Sequence, residues 1–550
     1  MELTIEQALQ QGVAAHKEGK LQEAERLYQA ILQSQPKHPD ANHNLGLIAV
    51  AANKVETALP LFKTALEANP KIEQFWLSYI DALIKGKQSE VAKQVIEQAE
   101  KQGVSGEKIN VFERQLQSLI QDDNAQPSDT EINTLLQYYQ NGHYGDAEQL
   151  AVSLTERFPT HPFSWTILGA LLKQTGRPSE SLTAMQKSVQ LAPQDAGAHS
   201  NLGVMLQELG RLEEAEANFV RAVELKPDLA EAHFNLGNTL RELGRLEEAE
   251  ASYRQAIALK PDADVHYNLG FALRELGRLD EAEASYRQAV ALKPDYAEAH
   301  FNLGNTLKEL GRLDEAEACC REAIALKPDY PSAKHIFSAI TAETTATAPQ
   351  EYVEELFDNY ADKFESALVD DLEYKMPRLI AGKIIEDSEL DLLGSIVDLG
   401  CGTGLFGREI KQFCEYLEGV DLSGKMLDQA KEKNVYDKLI KQNIVDYLST
   451  ASMNFDYFIS ADVFIYVGDL TEVFRLIKSR NRSGGKLAFS TEDYDGDGFF
   501  LEQSGRYSHS KTYIEFLCEK FGFKLRHFET KPLRKEKTQF IKGGLYLLDF

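Results

Sequence analysis

A chain of 550 residues is longer than one ordinary domain, and 43% apolar residues suffice for packed cores. Its formal net charge of −27 argues against a general nucleic-acid binder, because that affinity rests on Lys and Arg neutralising phosphates. The five cysteines (Cys319, Cys320, Cys401, Cys414, Cys518) fit neither a zinc-site spacing nor a disulfide framework, and no apolar run reaches the ~18 residues of a membrane helix.

The first residues, MELTIEQALQQG, carry neither the basic nor the apolar region of a secretory signal. A cytoplasmic chain with no metal, no nucleic acid and no membrane partner is the expectation. Internal repeats come next in chain order. NLGVMLQELGRLEEAEANFVRAVELKPDL is followed by three near-copies, whose leading glycines are Gly203, Gly237, Gly270 and Gly304. In the first copy Leu202, Gly203 and Leu206 share one face of a helix, and Gly210 ends it. Ala215, Phe219 and Ala222 recur at helical spacing on a second helix, and Pro227 closes the unit. Such a helix pair cannot bury its apolar face alone, so neighbours must stack.

These residues resemble the tetratricopeptide repeat family. Weaker copies run through Gly12, Ala24, Tyr28 and Pro36, then Gly46, Ala58, Phe62, Ala65 and Pro70, then a unit near Trp76. The pattern resumes with Ala147 and Pro159, then Trp165, Gly169 and Pro193. About nine helix pairs are expected, by the repeat-period argument. They form an all-α solenoid in two blocks, 1–106 and 128–330. An irregular connector is expected over 107–127 and a linker or cap over 331–350.

From 351 the texture changes. SIVDLG, YLEGVDL, KLIKQNI, FDYFISA and GKLAFSTE alternate with helical segments, which predicts a mostly parallel sheet. FKLRHFETKP and GGLYLLDF add an antiparallel hairpin, giving seven strands in an α/β domain over 351–550.

SIVDLGCGTGLFG places a glycine turn between a β-branched strand and a helix, where an open α/β sheet binds its ligand. A nicotinamide or flavin fingerprint spaces its glycines G-x-G-x-x-G; here the spacing is G-x-G-x-G and Asp398 precedes it. That carboxylate repels a pyrophosphate and suits a cationic ligand. Asp421 ends the next strand, placed to accept hydrogen bonds from ribose hydroxyls. The P-loop pattern is absent from the sequence.

These residues resemble the class I S-adenosylmethionine-dependent methyltransferases, with their Rossmann-like fold. The resemblance implies S-adenosyl-L-methionine as cofactor. Asp398, Gly400, Cys401, Gly402, Thr403 and Gly404 would wrap its methionine and ribose part, Asp421 would hold the ribose, and Leu422 would pack on the adenine. Asp446 would meet the adenine amino group or else cap a helix, with Ile444 and Val445 alongside. Ala461 and Asp462 would line the cofactor, and Phe464 to Tyr466 would face the substrate. LFDNYADKFESALVDDLEYKMP and SGRYSHSKTYIEFL are similar to segments of predicted bacterial tetratricopeptide-repeat methyltransferases, which implies that Tyr360 and Phe364 cover the cofactor.

Methyl transfer needs positioning and a dry site, and a base only where the acceptor must lose a proton. Arg506, Tyr507 and His509 in GRYSHS are the substrate-side candidates: His509 as base, Tyr507 to orient, Arg506 to clamp a carboxylate. A set of capping and surface residues is the other reading of that loop. The methyl acceptor is left open.

Asn44, Asn201, Asn235, Asn268 and Asn302 each stand two residues before a repeat glycine. Amides in that register would line a concave groove and pair with a peptide backbone. They resemble the asparagine ladder in the repeats of O-linked N-acetylglucosamine transferases. The function this implies is a methyltransferase whose repeats recruit a protein partner; the alternative is a scaffold whose methyltransferase-like domain binds cofactor without catalysis.

Overall fold

The computed structural model describes residues 4–123, 126–361, 364–365, 374–388, 392–450, 455–480, 484–536 and 539–550. The chain falls into two compact units, 1–239 and 240–550.

The first unit is helical. Thr4 opens its first helix, Ile5–Lys17, with a reciprocal capping box to Gln7. Pairs such as Ala196–Glu208 and Leu212–Leu225 follow one another down the chain. Within that pair Gly203 is required by packing, since a Cβ there would come within 2.7 Å of the Phe219 ring. The stretch 107–127, expected to be irregular, holds a helix over Glu107–Asp123. Its sequence lost the repeat's Gly and Ala pattern but kept helix-forming residues.

The second unit opens on the last repeats. The LGRL turn does more there than break a helix. Arg278 bonds Glu281 of its own repeat at 2.6 Å and Glu250 of the preceding one at 2.5 Å. Arg312 repeats this with Glu315 at 2.6 Å and Glu283 at 2.7 Å. A cap helix, Pro331–Ile340, ends the array, and a bridging helix, Gln350–Tyr360, follows.

Among the described residues the α/β part has nine strands: β1 Ser395–Leu399, β2 Tyr416–Asp421, β3 Lys438–Lys441, β4 Tyr457–Ser460, β5 Lys486–Asp493, β6 Phe499–Leu501, β7 Tyr507–His509, β8 Lys524–Glu536 and β9 Gln539–Asp549. Strands β3-β2-β1-β4-β5 run parallel in that spatial order; β9 joins β5 antiparallel and β8 pairs β9. These are the seven expected strands. The added pair is β6–β7, where β7 extends the sheet beside Glu492 and Asp493 at the end of β5.

Alternation along the strands divides the core. Val397, Leu399, Val420, Phe458 and Phe489 face one cluster. Ile396, Leu417, Ile459 and Ala488 face the other. Covered on both faces, the sheet leaves the carboxyl ends of its strands as the place for a ligand.

Candidate functional site

A cavity of about 360 Å³ opens at those carboxyl ends. One end is made by the turns after β1, β2 and β3. Gly400 has φ +79°, and a Cβ there would overlap Val463 at 2.2 Å. Glycine therefore serves both the left-handed turn and the close approach of the loop after β4. Asp421 accepts from the Gly402 N–H at 2.8 Å and the Ser423 N–H at 2.9 Å, which fixes its carboxylate on the cavity wall. Leu422, Gln442, Asn443, Ile444 and Ala461 complete this end.

The bridging helix lines one wall of the cavity. Asp358 accepts from the Ser423 hydroxyl at 2.5 Å, and Gln429 donates to the Ala361 carbonyl at 2.8 Å. Thr403 donates to Glu365 at 2.7 Å. Tyr360 and Phe364 pack edge to face at 6.0 Å, and both line the cavity. Much of the segment between Phe364 and Met376 lies outside the described residues, so only part of its expected covering role can be placed.

The opposite end is a chamber of Ala348, Val353, Phe357, Ile465, Tyr466 and Val467, with Tyr374, Arg506 and Arg534. Behind it runs a buried ionic chain. Arg534 donates to Asp462 at 2.6 Å and also to Glu492, while Arg506 Nε donates to Glu492 at 2.8 Å. Burial raises the Glu492 carboxyl against the pull of both arginines. Burial also works against the Arg534 charge, yet Asp462 and Glu492 hold it above the ordinary guanidinium range. Asp462 has φ +57° and is pinned by Ser490, which accepts from its N–H at 2.8 Å and donates to its carboxylate at 2.8 Å.

The sequence candidates thus divide. Gly400, Gly402, Asp421, Leu422, Ala461, Asp462, Tyr360 and Arg506 line the cavity. Asp398 lies behind it, buried, with the Tyr436 hydroxyl donating at 2.7 Å; burial pushes its carboxyl up to about 7. Cys401, Thr403 and Gly404 shape the turn without lining the cavity, and Asp446 sits in the first turn of the helix Ile444–Thr450, also off the cavity wall. Asn443 accepts the Val445 N–H there and lines the cavity in place of Asp446.

Two substrate-side candidates are corrected. His509 is fully buried on β7, with Nε2 donating to the Val467 and Gly468 carbonyls at 3.0 and 2.9 Å. Burial drops its pKa to about 4, and it does not line the cavity. Tyr507 is also fully buried, its hydroxyl 2.6 Å from that of Thr345. Both belong to the packing that seats β7. Phe464 points into the core, leaving Ile465 and Tyr466 on the chamber. Arg534, Glu492 and Tyr374 were not singled out in the sequence. A lone Arg in a terminal hairpin carries no spacing signal, since its partners stand far away in the chain.

Known proteins bear on this geometry. A family described as "Methyltransferase domain" matches residues 397–489, which span β1 to β5. Tetratricopeptide repeat families match 9–72, 43–103, 194–262 and 297–330, and a further TPR repeat family matches 272–311. The chain therefore joins an array of tetratricopeptide repeats to a methyltransferase domain. An uncharacterized methyltransferase of Schizosaccharomyces pombe is 23% identical over 158 residues, 25% of this chain. The chain spans only 56% of that relative's length. Among solved structures, YrrB, a TPR protein with an unusual peptide-binding site, is 22% identical, covering 34% of this chain and 96% of its own, at TM-score 0.31. A thermophilic TPR protein of Thermus thermophilus is 27% identical, covering 33% and 99%, at TM-score 0.27.

Proposed function

We propose that this chain is an S-adenosyl-L-methionine-dependent methyltransferase of the cytoplasm, whose repeats recruit a protein partner. One observation carries the donor reading: the Gly400 turn and the fixed Asp421 carboxylate meet at one end of the cavity. The residues fit that group. Gly400 keeps the left-handed turn and its close approach to Val463 at this end of the cavity, and Asp421 offers oxygens to a ribose diol. Leu422 and Ile444 offer apolar contact to an adenine, and Asn443 offers an amide to its edge. When bound, the donor supplies a sulfonium methyl with a good leaving group. Gly400, Gly402 and Asp421 would orient it, Tyr360 and Phe364 would exclude water, and the chamber beyond Ala461 would position the acceptor.

Calorimetry with S-adenosylhomocysteine and tritium transfer from labelled S-adenosylmethionine into cell lysate test this. Binding with transfer supports the enzyme; binding with no transfer favours a scaffold; NAD binding in its place sinks both. No helix is long and apolar enough to cross a membrane among the described residues.

The repeats supply the partner reading. Asn302 already donates to the Tyr267 hydroxyl at 2.9 Å, so part of the amide row is engaged within the array. Replacing Asn201, Asn235, Asn268 and Asn302 by Ala should lose co-purifying partners; an unchanged set removes the groove reading.

A further inference from the structure

The bridging helix Gln350–Tyr360 presents three faces to three different parts of the molecule. Residues three and four apart share a face of a helix, so each face is a row. Val353, Phe357 and Tyr360 line the cavity. Tyr352 packs 4.8 Å from the His335 ring, against the apolar cluster of Tyr330, Ala333 and Ile336 at the end of the repeats. Glu355 follows in that row: burial first, and then the Glu355 carboxylate, raise the Tyr330 hydroxyl above the ordinary phenol range. Glu354, Asp358 and the capping residue Ala361 make the third face, toward β3 and the helix Gly424–Glu432. Glu354 pairs with Lys441 of β3 at 2.8 Å, and the Ala361 carbonyl accepts from Gln429 at 2.8 Å. We propose that the cap of the repeats positions the methyl donor through this helix, with Asp358 as the positioning residue. This rests on the methyl-donor reading above.

The first argument is where Asp358 sits. Ser423 stands between two carboxylates: its N–H donates to Asp421 at 2.9 Å and its hydroxyl to Asp358 at 2.5 Å. Ser423 is also the N-cap of Gly424–Glu432, accepting from the Met426 N–H at 3.1 Å. The Lys425 N–H donates to Asp358 at 3.4 Å. A helix N-terminus favours an anion there, because its first N–H groups have no partner within the helix. Asp358 therefore pins the turn whose backbone aims Asp421, without lining the cavity itself. Asp421 is the group that offers oxygens to a ribose diol, so a small rotation of that turn reaches the bound donor.

The second argument is what holds Asp358 in place. Tyr352 and Asp358 are six residues apart in one continuous helix, about 9 Å along its axis. Tyr352 is wedged on both sides. The His335 ring of the cap helix lies against it, and a Cβ at Gly505 would come within 2.9 Å of its hydroxyl. His335 Nε2 donates to the Gly505 carbonyl at 2.9 Å, which ties those two walls together. A rigid element fixed at one end by the cap and at the other by Ser423 carries a shift between them. A partner whose binding moves the cap then changes donor affinity, and the donor changes the partner's affinity by the same factor.

Calorimetry on the full-length chain, with S-adenosylhomocysteine and its 2′,3′-dideoxy analogue, tests this. The analogue lacks the diol that Asp421 would meet. Asp358→Ala should weaken S-adenosylhomocysteine about tenfold and the analogue by no more than about twofold, since only the diol senses the carboxylate's aim. Equal loss for both ligands would make Asp358 a general support and overturn the proposal. Asp358→Asn keeps an oxygen acceptor for the Ser423 hydroxyl and should bind within about threefold of the native chain. A loss as large as that of the alanine variant overturns the route through Ser423. Tyr352→Ala, at a residue that does not line the cavity, should cost about threefold, and the double variant no more than Asp358→Ala alone. Additive losses, or no loss in Tyr352→Ala, overturn the role of the cap. Failure of the native chain to bind S-adenosylhomocysteine overturns the donor reading first; binding without these effects overturns this inference alone.

Discussion

At the scale of single residues, the donor end depends on one atom's absence. Gly400 sits at φ +79°, and its missing Cβ leaves room for Val463. Gly400→Ala should weaken S-adenosylhomocysteine binding at least tenfold, roughly 1.4 kcal/mol, with strain and overlap acting together. Calorimetry on a variant with native circular dichroism checks it. Asp398 makes a different prediction. Its folded pKa of about 7 lies above the ordinary 3.8, so it favours the folded state while protonated. That contribution is full below about pH 4 and disappears as pH rises through about 7. The stability of the ligand-free protein relative to Asp398→Asn should therefore fall between pH 4.5 and pH 8, by on the order of 3 kcal/mol. Urea midpoints at the two pH values read the difference; a constant difference would mean that Asp398 is ionised throughout.

At the scale of elements, the sequence reveals what is local. The β1 turn and the acid ending β2 were legible because a short motif dictates both conformation and position. GRYSHS was not. Its polar residues look like a surface loop, yet they form β7, a buried strand whose polar atoms are satisfied elsewhere. Tyr507 finds Thr345, and His509 finds two carbonyls. Arg506 alone points into the cavity from that segment, and its partner Glu492 ends a different strand. Such pairings follow from strand order, which no window of sequence contains. The connector shows the same limit. Its small residues read as a linker, but the Ala346 carbonyl accepts from the Asp469 N–H at 2.7 Å and Ala348 packs on the chamber. Ala348→Trp should fill the acceptor end and lower methyl transfer about tenfold or more, since displacement of reacting atoms by an ångström is that costly. S-adenosylhomocysteine affinity, measured in parallel, should stay within about threefold because the donor end is untouched. A matching loss of both would place Ala348 in general packing instead.

At the scale of the whole molecule, the repeat count was legible because each pair repeats a spacing. The limit of cooperation between elements was not. Residues 240–550 form one compact unit, so the last repeats belong with the methyltransferase domain. The contacts are specific. His335 of the cap helix donates from Nε2 to the Gly505 carbonyl at 2.9 Å and packs 4.8 Å from the Tyr352 ring. Ala339 and Ala348 share an apolar cluster with Leu501 and Tyr507. A fragment of residues 351–550 would lose this support. It would expose Leu501 and Tyr507, each worth roughly 1.5–3 kcal/mol when buried, and would leave the Asp469 N–H without its acceptor. A fragment of 262–550, starting at the repeat boundary after Pro261, keeps all of these contacts. Scanning calorimetry should therefore place the shorter fragment's melting temperature lower by about 10 °C or more, given a few kcal/mol spread over a domain of this size. Equal melting temperatures would show that the cap helix rests on the domain without stabilising it, and would detach the repeats from the architecture of the acceptor chamber.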